Sequence, residues 1–163
     1  MRRVTAAALL ATVLAVLASG CAQAPLAHTC SLTDKQFIQK AQFRVDALGV
    51  WAQEYIAGDA RAAEVVDQAN GAALTMDGTQ PEDPTLRQTR TLLHGMFTEY
   101  GRAIQATARH RDAGPHIYRA YGLANFAHNV LTNAEPDLRA RGCDVGPRSR
   151  VPGLRTTAPR GPS

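Results

Sequence analysis

Apolar residues recur at intervals of three and four in four separate stretches of the chain, with polar residues filling the positions between them. That period is the signature of helices with one buried face. Phe37, Ala41, Val45, Leu48, Ala52 and Tyr55 predict a first helix over about Thr33 to Ala57. Ser31-x-x-Asp34 and Thr33-x-x-Gln36 both have the form of a capping box at its start, and Gly58 suits its end. Asp59 is placed to cap a second helix, with Ala62, Val65, Val66, Ala69, Ala73 and Met76 inward and an end near Gly78. Residues 79–84 read as a loop. Asp83-Pro84 then sets an N-cap followed by proline at the first helical position. The third helix is expected to reach about Arg109, burying Leu86, Leu93, Met96, Phe97, Tyr100, Ile104 and Ala108. After a turn at residues 110–114, Pro115 opens a fourth helix with Ile117, Tyr121, Ala124, Ala127, Leu131 and Leu138 on its apolar side. Pro136 lacks an N–H, so a kink or short break is expected there.

Four amphipathic segments joined by short connections predict an all-α, up-down-up-down four-helix bundle spanning residues 32–145. In such a bundle the start of the first helix and the end of the fourth lie at the same end. Cys30 and Cys143 occupy those two places.

The residues before the bundle carry a different pattern. Arg2 and Arg3 precede an uncharged stretch from Val4 to Leu17, which narrows to small residues in Leu17-Ala18-Ser19-Gly20-Cys21. The stretch is shorter than the roughly 20 apolar residues that a membrane-spanning helix needs, and its layout is that of a removable export signal. It resembles the signal of bacterial lipoproteins, with Ala18 in the slot where that family most often has Leu. The resemblance covers Met1 to Cys21. It implies a cleaved signal peptide over residues 1–20, lipidation of the Cys21 thiol, a lipidated tether over residues 21–31, and a location on the extracytoplasmic face of a cell membrane. Two or more acyl chains would make such anchoring stable. With the Cys21 sulfur alkylated, Cys30 and Cys143 remain as an even pair in an oxidising compartment, which predicts one disulfide between them.

Charge divides the mature chain. The formal net charge is +4, but residues 21–145 hold 12 Lys or Arg against 14 Asp or Glu. Residues 146–163 hold four arginines and no acid. That tail has too much Pro and Gly to build a core and reads as a disordered basic end. Emerging near the membrane, Arg148, Arg150, Arg155 and Arg160 are placed to meet an anionic surface. Nothing in the pattern points to nucleic acid.

Catalytic signatures are missing from the sequence: there is no His-Glu-x-x-His, Gly-x-Ser-x-Gly, P-loop or Cys-x-x-Cys. The expectation is therefore a non-catalytic lipoprotein domain that needs no cofactor and interacts with, or modulates, an envelope protein. The alternative is a bundle that binds haem, a metal or a small apolar ligand. For that alternative His94 and His128 are the candidate ligands, expected about one helical turn apart in level, with Tyr121 beside them. Glu54 and Glu99 lack the Glu-x-x-His spacing of di-iron bundles. His110 and His116 flank the last turn and read as solvated. A large apolar cavity would favour the ligand, and an exposed aromatic patch the partner.

Overall fold

The computed structural model describes residues 29–146, and within them the chain is four helices with no strand. They are α1 (Leu32–Ala57), α2 (Ala62–Asp77), α3 (Pro84–Ala108) and α4 (Gly114–Ala140). None is long and apolar enough to cross a membrane. Cys21 and the tail arginines 148, 150, 155 and 160 lie outside the described residues.

Local chemistry sets the helix ends. Ser31 accepts the Asp34 N–H while Asp34 accepts the Ser31 N–H, so the first capping box forms as read. Gly58 ends α1 in the left-handed region at φ 86°, where glycine carries no Cβ penalty. Asp83 caps α3 by accepting from Thr85 and Leu86, with Pro84 behind it. Helix α2 departs from expectation. It is capped at Arg61, not Asp59, because Glu64 reaches back to the Arg61 N–H and pairs with its guanidinium. Helix α4 continues unbroken through Pro136 to Ala140. Pro136 is exposed, so its ring meets solvent rather than a neighbouring helix, and the helix carries on past one missing hydrogen bond.

Helix α3 is the axis of the fold. It buries Leu86, Leu93, Phe97 and Ile104 together with Gly101 and Ala103, and α2 and α4 pack along its two sides. Small residues let the backbones approach. A Cβ at Gly95 would stand 3.1 Å from Leu123, and one at Gly101 would stand 3.4 Å from Ala69. Helix α1 packs mainly on α2 and touches α3 more lightly.

The two chain ends of the bundle are fastened together. Cys30 and Cys143 form the disulfide, 113 residues apart in sequence. Beside it the Cys30 N–H donates to the Arg141 carbonyl at 2.8 Å. The buried Asp34 also accepts the N–H groups of Glu82 and Asp83, at 2.8 and 3.0 Å. Asp83 in turn takes the Arg141 guanidinium. Burial pushes the Asp34 carboxyl up, but the N–H donors of Asp83, Ser31 and Glu82 outweigh it and hold the group below its ordinary value. Its carboxylate lies within 4.8 Å of both cysteine sulfurs. Because those sulfurs are joined to each other, the cluster is a clasp and not a metal site.

Away from the clasp, α1 and α4 part. No Cα of one lies within 8 Å of a Cα of the other, whereas packed helices run with axes about 8–10 Å apart and their facing backbones closer still. The bundle is open along this seam. Several residues expected to be inward are consequently exposed: Val45 on α1 at 43%, and Ile117 and Tyr121 on α4 at 54% and 68%. Ala108 is exposed as well, at the last residue of α3.

Candidate functional site

The open seam holds a cleft of about 400 Å³, within the range of about 300–1,000 Å³ typical of small-molecule sites. Its floor is α3, through Leu86, Thr89, Leu93 and Met96. One wall is α1, through Phe37, Ile38, Ala41 and Val45, and the other is α4, through Ala124, Ala127 and Leu131. Val145 and Gly146 close the end beside the disulfide. The cleft exists because its walls carry small or medium side chains at the positions where two packed helices would need large ones. Ala41, Ala124 and Ala127 are such positions.

Polar groups gather at the mouth: Gln42 and Asp46 from α1, and His128, Thr132 and Glu135 from α4. Glu135 is paired with Arg139 at 2.8 Å. The Gln42 amide donates to the Gly146 carbonyl at 3.3 Å, which ties the segment after α4 to α1. Its other end, Oε1, is buried without a donor.

Of the residues singled out from sequence, His128 stands at this mouth and His94 does not. His94 lines a shallower groove on the other side of α4, with Gly95, Arg119 and Phe126. There its Nε2 lies 3.3 Å from Asp77. The two imidazoles therefore face different clefts and do not form a shared ligand pair. Tyr121 lines neither cleft and points to solvent. Their common apolar stripe placed His128 and Tyr121 on one face of α4, but not where α1 would diverge from that face.

A second polar cluster escaped the sequence reading. Glu99, nearly buried on α3, bonds His116 Nδ1 at 2.7 Å and Arg102 at 2.6 Å. His116 is thus an inter-helix partner, not the solvated turn residue expected. The bond to His116 is the main influence that holds the Glu99 carboxyl below its ordinary value, against the opposing effect of burial. The seventeen-residue separation crosses a turn, so no local spacing rule could have found the pair. The cluster fastens α3 to α4 at the end opposite the disulfide.

Several large apolar side chains remain outside both clefts. On α4 these are Ile117, Tyr118 and Tyr121, and on α1 they include Phe43, Val50 and Ile56; Phe126, at the edge of the second groove, is exposed as well. No protein-family model matches the chain, and no curated protein or solved structure is significantly similar to it.

Proposed function

We propose that this chain is a lipid-anchored, extracytoplasmic binding domain without catalytic activity, which holds a small apolar molecule in the cleft between α1 and α4. The observation that carries the ligand is the cleft itself, mostly apolar inside, where the hydroxyl of Thr89 is spent on the Thr85 carbonyl, with the other polar side chains toward its mouth. That distribution is the common form of small-molecule sites. The anchor rests on the Leu17-Ala18-Ser19-Gly20-Cys21 string and on the disulfide, a bond typical of oxidising compartments. With Cys21 as its attachment point, the short segment to Cys30 would bring the clasped end of the bundle close to the membrane.

Intact and native mass spectrometry of the protein purified from its host membrane tests both parts. The expected result is a mature chain beginning at an acylated Cys21, with a non-covalently retained apolar molecule that solvent extraction releases. A mature chain without acyl groups would overturn the anchor. An acylated chain that carries no guest, and that takes up none from a lipid extract of the host, would overturn the ligand.

The exposed Ile117, Tyr118, Tyr121 and Phe126 favour a second reading, docking of an envelope protein against the first half of α4. Under that reading a photo-crosslinking residue at position 118 captures one discrete protein in intact cells, and the same residue at position 87 on α3 does not.

A further inference from the structure

We propose, resting on the ligand-binding reading above, that the guest of the α1–α4 cleft is a single aliphatic chain whose polar end donates hydrogen bonds and carries no negative charge. Three features of the cleft point to this class.

The first is shape. The α1 wall runs from Phe37 to Asp46, about 14 Å of helix at 1.5 Å per residue, so the cleft is long for its volume of about 400 Å³. It suits an extended chain better than a compact ring system.

The second is the lining. Ile38, Leu93, Ala124 and Leu131 offer aliphatic surface, and Met96 a flexible thioether that adapts to irregular contact. Phe37 is the only Phe, Tyr or Trp among the described residues of the lining, so no two such rings there flank a slot for a planar guest. Among the described residues, His128 is the only imidazole that lines the cleft.

The third is charge. Among the described residues, no Lys or Arg lines the cleft, whereas binding of a carboxylate or phosphate rests on charge-assisted donors. Arg139, one turn beyond Glu135 of the mouth, is engaged with that carboxylate. Asp46 has no ion-pair partner among the described residues. Gln42, a residue of the lining, also holds in its Oε1 a buried acceptor with no donor among the described residues, a condition that normally costs about 1–3 kcal/mol. The mouth thus offers acceptors and negative charge to whatever end group sits there. An alcohol donates to the acceptors, an ammonium also meets the charge, and an anion faces Asp46 with only the Thr132 hydroxyl and the His128 ring as possible donors.

The test uses the full exported chain carrying Cys21→Ser, so that no covalent acyl group competes. Decanol, decylamine and decanoate are titrated by calorimetry at about pH 7, where the amine is cationic and the acid anionic. Decanol and decylamine are expected to bind, and decanoate to bind about tenfold more weakly or worse. Asp46→Asn, at an exposed position that the fold does not need, is expected to weaken decylamine by a factor of about three while leaving decanol unchanged. Decanoate binding as tightly as decanol would overturn the end-group inference and leave the apolar site standing. Binding of none of the three would overturn the ligand reading itself. So would binding that persists unchanged in Ala124→Phe, a variant that fills the cleft, once circular dichroism shows that variant to be helical.

Discussion

Asp34 does three jobs with one carboxylate. It caps α1 through Ser31 and receives two N–H groups from the loop that leads into α3. Only the first job was legible. The Ser-x-x-Asp spacing is local, whereas the N–H groups of Glu82 and Asp83 arrive from 48 and 49 residues away by way of the chain's return. Removing the carboxylate leaves three donors without an acceptor at a buried site, so Asp34→Ala is expected to lower stability by about 3 kcal/mol in urea unfolding. Glu99 gives a pH-dependent counterpart. Its carboxyl is held low in the folded protein, so between the folded and unfolded values the unfolded chain binds more protons and stability rises with pH. The contribution is complete above the ordinary carboxylate range and disappears as the pH falls through the lowered value. Glu99→Gln should therefore cost about 1–2 kcal/mol at neutral pH. The gap between the two proteins should close in acid, as read from unfolding curves across the pH range.

At the scale of the helix, apolar periodicity placed all four elements and most of their inner residues. Phe37, Val65, Met76, Leu86, Phe97 and Leu138 are all fully or almost fully buried. Boundaries were less secure where two caps competed. Asp59 and Arg61 both stand before α2, and the start falls at Arg61 because Glu64 lies three residues ahead of it to accept the N–H. A kink or short break is expected at Pro136 because a proline in a helix removes one hydrogen bond and crowds the preceding turn, and no break occurs. The helix bears that cost, since Leu138 beyond it is wholly buried and Cys143 is tied to Cys30. Tertiary fastening at the far end outweighs a local penalty of about 3 kcal/mol. Pro136→Ala should return an N–H to the Thr132 carbonyl. We expect it to raise stability by about 1–2 kcal/mol, the full gain being reduced by the freer unfolded chain; thermal unfolding followed at 222 nm measures it.

At the scale of the whole molecule, topology was legible and closure was not. Antiparallel order alone brought Cys30 and Cys143 to one end, and the disulfide follows. That α1 and α4 separate beyond it depends on the combined sizes of Ala41, Ala124 and Ala127 across a seam, and periodicity reports which face is apolar without reporting what covers it. The same limit explains Val45, Ile117 and Tyr121, apolar by pattern yet exposed. With no backbone contact between α1 and α4 elsewhere, the disulfide is their principal link. Cys30→Ser with Cys143→Ser is expected to cost up to about 4–5 kcal/mol by loop-closure entropy. The same pair should raise amide exchange in the first turns of α1 above that in α3.

The central claim, that the seam is a binding site for an aliphatic guest, is tested most directly by intermolecular nuclear Overhauser effects between decanol and the methyl groups of the protein. The account predicts contacts from the alkyl chain to Ile38, Ala124 and Leu131, lost in Ala124→Phe. Contacts confined to the exposed Ile117 and Val50, or none at all at saturating decanol, would contradict it.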